Sequence, residues 1–257
     1  MAGSPPYPHP HHGSTAPIGP EDLYTSQPPW DIGRPQPAFL ALADAGAIRG
    51  RVLDVGCGTG EHVLMCAGLG LDATGVDLAS AALHAAKEKA RDRGRTARFL
   101  LQDARHLVDL GESFDTVLDC GLFHIFNDDD RAAYVDSLRY VLPPGGHYFM
   151  LCFSDQQPGD WGPRRVTRDE ITASFTDGWR IDSIEPSTID ITTDPAGIRA
   201  WLVALTRIPT SANPSNIRAA LISAHEGAHP SGEDRIRNAM LTAEAQVETE
   251  RPGRYLV

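Results

Sequence analysis

The chain has 257 residues, of which 41% are hydrophobic, and this suits the core of one sizeable domain better than two. Its formal net charge is −11 and its only lysines are Lys87 and Lys89, so no dense basic face for a nucleic acid is predicted. No apolar run reaches the ~18 residues of a membrane span, and no Lys or Arg precedes Arg34. These two features favour a cytoplasmic protein without a secretion signal.

The first 29 residues are rich in proline and carry little apolar surface. Ten of the 20 prolines precede residue 38, and such a composition cannot offset the entropy of ordering the chain. We therefore predict a disordered tail over residues 1–29. Its three histidines (His9, His11, His12) are interpreted as part of a solvated tail, and the four cysteines, which form no C-x-x-C pair, as reduced thiols. No metal site is predicted.

Strand-like and helix-like stretches alternate from Trp30 onward. After a short helix around Phe39, strands are predicted at residues 51–55, 72–76, 97–101, 114–118, 147–153, 179–184 and 200–206. The principal helices are predicted at residues 62–69, 80–93 and 131–141, with Ser80 as the N-cap of the second and an Asp as the N-cap of the third. A fourth helix is predicted to begin at a capping box of Thr167 and Glu170 and to end at Phe175.

This alternation is typical of βαβ units and predicts an α/β fold, specifically a Rossmann-like, doubly wound and mostly parallel seven-stranded sheet. Ligands of such sheets bind beyond the carboxyl ends of the strands, so the loops there are the candidate site. We assign residues 30–208 to this domain. Residues 209–257 are poor in aromatic residues and are predicted to form a C-terminal helical appendage.

A glycine-rich motif carries the strongest functional signal. Residues 52–60, Val-Leu-Asp-Val-Gly-Cys-Gly-Thr-Gly, take a buried strand directly into a turn where a ligand can lie against bare backbone. Asp77 ends the second predicted strand 17 residues after Gly60, where a carboxylate can accept both hydroxyls of a ribose. Asp103 ends the third strand. Either carboxylate alone could be a helix cap, but the ordered set indicates a nucleoside-containing ligand.

A nicotinamide or flavin dinucleotide is the competing ligand. Its fingerprint, G-x-G-x-x-G/A, needs a small third residue for close helix packing. Counted from Gly56 and Gly58, that position is Glu61, whose carboxylate would also repel a pyrophosphate. The motif therefore disfavours a dinucleotide.

With these motifs, the sequence resembles the class I S-adenosylmethionine-dependent methyltransferases over about residues 30–207. The resemblance implies S-adenosylmethionine as cofactor, with Asp54, Gly56 and Gly58 in contact with it. It further implies Asp77 at the ribose, and Asp103 with Ala104 at the adenine. The full set of cofactor-binding residues expected on this basis is Trp30, Asp54, Gly56, Cys57, Gly58, Asp77, Leu78, Asp103, Ala104 and Asp119.

Two further segments narrow the resemblance. Residues 30–37, Trp-Asp-Ile-Gly-Arg-Pro-Gln-Pro, and 122–124, Leu-Phe-His, are similar to heterocyclic toxin and thiopurine methyltransferases. That branch implies methyl transfer to an O, N or S atom of a small aromatic or heterocyclic molecule. His124 is the candidate catalytic residue, accepting or orienting the acceptor's proton, because an imidazole titrates near neutrality. Phe123, Phe126 and Trp161 are the candidate substrate pocket, and the 156–166 loop is a candidate lid.

Other interpretations of these residues stay open at the level of sequence. Trp30 can serve as a hydrophobic staple, His124 as a structural histidine, and the aromatic residues as core. A non-catalytic S-adenosylmethionine-binding module and a Rossmann oxidoreductase are the alternative functions. The sequence does not indicate the oligomeric state. Four further histidines lack metal-ligand spacing and are interpreted as structural: His62, His84, His106 and His147.

Overall fold

A computed structural model describes residues 19–210 of the protein. It contains seven strands: β1 (Arg51–Val55), β2 (Asp72–Asp77), β3 (Arg98–Leu101), β4 (Thr116–Cys120), β5 (His147–Phe153), β6 (Trp179–Ile189) and β7 (Ile198–Arg207). Its α-helices are α1 (Pro37–Asp44), α2 (Glu61–Gly68), α3 (Ser80–Asp92), α4 (Asp128–Val141) and α5 (Arg168–Ser174). Three 3₁₀ helices cover Pro20–Tyr24, Ala104–Leu110 and Phe123–Ile125.

All seven strands form one sheet in the order β3-β2-β1-β4-β5-β7-β6. The neighbours from β3 to β5 are parallel, whereas β7 runs antiparallel to both β5 and β6. The predicted doubly wound, mostly parallel seven-stranded sheet is therefore confirmed. Its strand order reverses between β1 and β4, and ligands of such sheets bind at this reversal, beyond the carboxyl ends of the strands.

Two apolar clusters cover the two faces of the sheet. Alternate residues of a strand point to opposite faces, so Leu53 of β1 joins one cluster and its neighbour Val52 joins the other. The same alternation divides β5, where Tyr148 and Phe149 lie on different sides. Burial on both faces explains why the central strands are almost uninterrupted hydrophobic runs.

The helix starts differ from the sequence prediction in two places. Ser80 is not an N-cap but the first residue of α3, and the side chain of Glu21 satisfies its backbone N–H at 2.7 Å. Helix α4 begins earlier than expected because Asn127 is its N-cap, accepting the backbone N–H of Asp130 at 2.8 Å. The capping box of Thr167 with Glu170 is present in α5.

Residues 19–29 of the predicted tail make contacts with the rest of the domain. The Glu21 carboxylate accepts the Ser80 hydroxyl at 2.6 Å, and the carbonyl of Pro29 accepts the backbone N–H of Thr192 at 2.9 Å. Residues 1–18 lie outside the described residues. The residues from 211 onward also lie outside the described residues, and they contain nearly all of the predicted C-terminal appendage.

Within residues 19–210, no helix is long and apolar enough to cross a membrane. The same part of the chain contains no group of three or more His, Cys, Asp or Glu side chains that could hold a metal ion. The four cysteines are free thiols, and only Cys120 is partly exposed.

Candidate functional site

The glycine turn after β1 needs its glycines. Gly56 and Gly58 have φ angles of +65° and +52°, which side-chain-bearing residues rarely adopt. A Cβ atom on Gly58 would lie 2.8 Å from the hydroxyl oxygen of Tyr24, and one on Gly56 would lie 3.2 Å from Leu122. Between them, the backbone N–H of Cys57 donates to the carbonyl of Val76 at 3.0 Å. The turn is thus fixed against β2, with Gly56 partly exposed and Gly58 buried beside Tyr24.

The Asp77 carboxylate lies against this turn, as the sequence predicts. One oxygen accepts the backbone N–H of Gly58 at 2.8 Å, and the other accepts that of Ala79 at 2.8 Å. Burial raises the pKa of Asp77 above its usual range, although both N–H groups oppose the shift. The next residue, Leu78, is 44% exposed. The end of β2 therefore offers a fixed carboxylate beside an open apolar side chain.

The Asp54 carboxylate is buried at the carboxyl end of β1, with 1% of the residue exposed. Neither oxygen has a hydrogen-bond partner among the described residues. A buried carboxylate without a donor is costly, so such a site favours a cationic ligand. This fits the ammonium group at the amino-acid end of S-adenosylmethionine, the cofactor that the resemblance implies. Within the described residues, Asp54 is the strongest local evidence for that cofactor.

The Asp103 carboxylate is already engaged within the protein. It accepts the backbone N–H of Arg105 at 2.9 Å and the guanidinium of the same residue at 2.7 Å. The hydrogen bond to Arg105 lowers the pKa of Asp103. A carboxylate has about four acceptor sites, so an adenine amino group would have to share it with Arg105. The neighbouring Ala104 is 6% exposed and belongs to the core.

The structure does not support the expectation that the Asp119 side chain contacts the cofactor. The prediction ended the fourth strand at Leu118, but β4 continues to Cys120 and carries Asp119 into the core, where it is 0% exposed. Its carboxylate accepts the hydroxyls of Tyr134 and Tyr148, each at 2.8 Å, and the backbone N–H of Leu122 at 2.8 Å. Burial raises the pKa of Asp119 to about 6. Its role is structural.

The N-terminal segment, residues 19–36, reaches the glycine turn through Tyr24. This contact was not predicted from the sequence. Burial raises the pKa of Tyr24, with a further increase from Asp77 that a side-chain hydrogen bond to Trp30 opposes. Tyr24 and Trp30 are both half-buried. The only sequence signal for Tyr24 was an aromatic residue in a proline-rich stretch. Trp30 thus lies beside a side chain that contacts the turn, and its own contact with a cofactor remains a prediction.

A partly buried ion network joins the N-terminal segment to α2 and α3. The Lys89 ammonium donates to the Thr59 hydroxyl at 2.7 Å and to the Glu61 carboxylate at 2.9 Å, and lies 3.6 Å from Asp31. Glu61 also binds the Arg93 guanidinium at 2.7 Å. Burial acts to raise the pKa of Glu61, but these cations lower it overall. The carboxylate that disfavours a dinucleotide therefore has a structural role behind the turn.

His124 is buried beyond the end of β4, with 5% of the residue exposed. Its Nδ1 atom accepts the backbone N–H of Phe153 at 3.0 Å, so the proton of the neutral ring is on Nε2. Burial, together with the charges of Arg131 and Arg165, lowers the pKa of His124 to about 3. His124 is therefore a neutral hydrogen-bond donor. The predicted role as a proton acceptor does not fit this geometry, whereas orientation of the acceptor group does.

The three predicted pocket aromatics separate in the structure. Phe123 is 0% exposed, stacks on Phe175 at 5.7 Å between ring centres and lies under the Arg131 guanidinium, so it is a core residue. Phe126 is half-buried and packs at 5.2 Å on Tyr134. Packing within the core is therefore enough to explain why an aromatic residue occupies position 123.

Trp161 belongs to an aromatic group near His124. Its ring lies 6.4 Å from that of Phe153, which in turn lies 4.6 Å from the His124 ring. The Arg165 guanidinium is 5.4 Å from the Phe153 ring centre and 5.5 Å from that of Trp161. Arg165 also donates to the carbonyl of Pro163 at 2.8 Å, a contact within the 156–166 loop. We call Phe153, Trp161, Arg165 and His124 the aromatic cluster. Phe153, at the end of β5, was missed from sequence.

Comparisons with known proteins find similarity to methyltransferases. Residues 52–146 match the family model described as a methyltransferase domain. A 2-heptyl-1-hydroxyquinolin-4(1H)-one methyltransferase of Mycobacteroides abscessus is 35% identical over 173 residues, which are 66% of this chain and 76% of that protein. A protein of Arabidopsis thaliana named "Probable thiol methyltransferase 2" is 28% identical over 144 residues, 55% of this chain and 64% of that protein.

A solved structure supports the same relationship. It was described in work on the conversion of a disulfide bond into a thioacetal group during echinomycin biosynthesis. It is 39% identical to this chain with a TM-score of 0.66, and the match covers 76% of this chain and 92% of that one.

Proposed function

Since the chain belongs to the class I S-adenosylmethionine-dependent methyltransferases, in their small-molecule branch, we propose that its acceptor is an acidic O–H, N–H or S–H group on a small aromatic or heterocyclic molecule. The chain is an enzyme that uses S-adenosylmethionine to methylate a small molecule. Family membership favours this activity over a non-catalytic binding module or an oxidoreductase.

The protonation state of His124 carries the proposal. Because Nδ1 accepts the Phe153 N–H at 3.0 Å, the ring can donate from Nε2 but cannot take up the acceptor's proton. A group that loses its proton to solvent needs no base in the protein. Two cationic side chains, Arg131 and Arg165, act on His124 and would favour an acceptor that binds as an anion.

The aromatic cluster supports a flat acceptor. Phe153 and Trp161 present two ring systems beside His124, at the carboxyl end of β5. One relative is named for a 1-hydroxyquinolinone, which is a flat ring system, and another is named for thiols. Both an N-hydroxy group and a thiol are acidic compared with an alcohol. We propose that the acceptor ring packs on Trp161 while its acidic atom faces His124.

When bound, S-adenosylmethionine supplies an electrophilic methyl group on a cationic sulfur. The contribution of the chain is alignment and exclusion of water, and alignment of two reactants can lower a barrier by roughly 7 to 11 kcal/mol. We propose that Asp77 accepts the ribose hydroxyls, that Asp54 holds the ammonium, and that Gly56 and Gly58 allow close approach. The further cofactor contacts that we propose are Trp30, Cys57, Leu78, Asp103 and Ala104.

Turnover with a graded panel of acceptors tests this proposal. Purified protein and methyl-labelled S-adenosylmethionine are incubated with N-hydroxyquinolones, phenols and thiols that span a range of acidity, and with neutral aliphatic alcohols as the control class. We expect methylated product from aromatic acceptors that ionise below about pH 8, and none from the alcohols. Methylation of the alcohols at similar rates would contradict the proposal.

Three further points remain proposals. The net charge of −11 and the two lysines support an acceptor other than a nucleic acid. A cytoplasmic location is supported by the four free thiols of the described chain. We propose that the methyltransferase domain begins near residue 19 rather than residue 30, because Glu21 and Tyr24 contact it. The C-terminal boundary near residue 208 is retained.

A further inference from the structure

A chain of polar contacts runs behind the glycine turn to Asp54. The backbone N–H of Gln36 donates to Nε2 of His62 at 3.2 Å, and Nδ1 of His62 lies 3.8 Å from the Asp54 carboxylate. The edge of the His62 ring meets the Phe39 ring, with 4.8 Å between ring centres. His62 is only 9% exposed. This histidine therefore lies between the start of α1 and the buried carboxylate.

The hydrogen bond from Gln36 fixes the tautomer of His62. A backbone N–H can only donate, so Nε2 is the acceptor and the proton of the neutral ring is on Nδ1. That proton is directed to the side of the ring on which Asp54 lies. A separation of 3.8 Å exceeds that of a full hydrogen bond, so His62 leaves the acceptor capacity of the carboxylate largely unused.

Gln36 is held in turn by a reciprocal pair of hydrogen bonds. Its side-chain nitrogen donates to the carbonyl of Asp190 at 3.0 Å, and its side-chain oxygen accepts the backbone N–H of Asp190 at 2.8 Å. The donor that fixes His62 is thus anchored to the loop after β6. The position of the imidazole is set by two separate parts of the fold.

We propose that His62 is a positioning residue, which holds the Asp54 carboxylate in place for the ammonium group of S-adenosylmethionine. The inference rests on the proposed role of Asp54. Nδ1 of His62 lies 3.8 Å from one carboxylate oxygen, while neither oxygen has a hydrogen-bond partner among the described residues and both stay available to a cationic ligand. Its effect is therefore confined to the amino-acid end of the cofactor and does not extend to the adenosine.

Two ligands separate that local effect from a general loosening of the site. S-adenosylhomocysteine carries the ammonium group, whereas 5′-methylthioadenosine shares its adenosine and sulfur but lacks the amino-acid end. Calorimetry measures both affinities for wild type, His62→Phe and His62→Asn. Phenylalanine keeps an aromatic ring against Phe39 without a donor, and asparagine keeps a donor near Asp54. The matched control is His84→Phe, because the His84 side chain is 74% exposed on α3.

We expect His62→Phe to bind S-adenosylhomocysteine about tenfold more weakly, with binding of 5′-methylthioadenosine within twofold of wild type. His62→Asn should recover part of the loss, and His84→Phe should match wild type. On an Asp54→Asn background, His62→Phe should cause little further loss, because the two residues act as one unit. Melting temperatures identify a variant that has failed to fold, and His62→Asn then carries the comparison.

Equal weakening of both ligands would overturn the inference and make His62 a packing residue. An additive effect of His62→Phe on the Asp54→Asn background would overturn it as well. If wild type binds 5′-methylthioadenosine as tightly as S-adenosylhomocysteine, the proposed role of Asp54 fails first, and that of His62 fails with it.

Discussion

His124 makes two hydrogen-bonding contributions that substitution can separate. Nδ1 accepts the Phe153 N–H, and Nε2 carries the proton that we propose faces the acceptor. In His124→Asn, the side-chain oxygen can still accept the Phe153 N–H, but nothing reaches the position of Nε2. In His124→Gln, the longer amide can donate near the Nε2 position, but the acceptor for Phe153 is lost. His124→Asn should therefore lose the contact with the acceptor, and His124→Gln should lose the contact with Phe153.

The structure gives a magnitude for each loss. A buried N–H left without an acceptor costs about 1 to 3 kcal/mol, so His124→Gln should lower the free energy of unfolding by that amount. A donor to a charged group contributes about 1.5 to 3 kcal/mol, so His124→Asn should lower kcat/KM for the acceptor by up to roughly tenfold to 150-fold. His124→Asn should keep near-wild-type stability, and His124→Gln should keep more of kcat/KM.

Urea unfolding and steady-state kinetics measure these two effects, and the pH dependence of kcat adds a third test. Burial keeps the pKa of His124 at about 3, so the imidazole is neutral throughout the usual assay range. The pH profile should follow the ionisation of the acceptor and move when a more acidic acceptor is used. A titration between pH 6 and 7 that is independent of the acceptor and absent from both variants would refute the reasoning and restore His124 as the base.

Three other substitutions test the site and its support. Asp77→Asn should weaken S-adenosylhomocysteine binding by about tenfold or more in calorimetry, since it removes a charged acceptor, and unchanged affinity would exclude a ribose contact. Glu21→Ala should lower the melting temperature by about 2 to 4 °C relative to the exposed control Glu185→Ala, and equal melting temperatures would show that Glu21 does not stabilise the start of α3. The folded pKa of Asp119, about 6, lies above the reference value of 3.8, so the folded state binds more protons. Wild type should therefore gain about 2 kcal/mol over Asp119→Asn as the pH falls from 7 to 4, and a pH-independent difference in unfolding free energy would contradict the shift.

Those parts of the fold that depend on local pattern could be predicted from the sequence. The glycine turn and Asp77 lie where expected because the strand, the turn and the strand-end carboxylate are signalled by adjacent residues. The capping box of Thr167 and Glu170 is local in the same sense. The sheet followed from the alternation of such elements.

The errors arise where a distant partner decides the structure. Asp119 was assigned to a ligand-facing loop because the fourth strand was ended two residues early, and only the hydroxyls of Tyr134 and Tyr148 reveal its structural role. Ser80 was assigned as a cap because nothing near it in sequence points to Glu21, 59 residues away. The tautomer of His124 depends likewise on the backbone of β5.

The scarcity of lysine gives the Lys89 network a practical use in covalent labelling. Lys87 is exposed, whereas the Lys89 side chain is 25% exposed and its amine is engaged by Thr59 and Glu61. An amine-selective acylating reagent should therefore modify Lys87 first. Acylation of Lys89 would neutralise the cation that joins the N-terminal segment to the helices behind the turn. The rate of labelling at Lys89, relative to Lys87 in the same molecule, thus reports how often that junction opens, and it does so without a substrate.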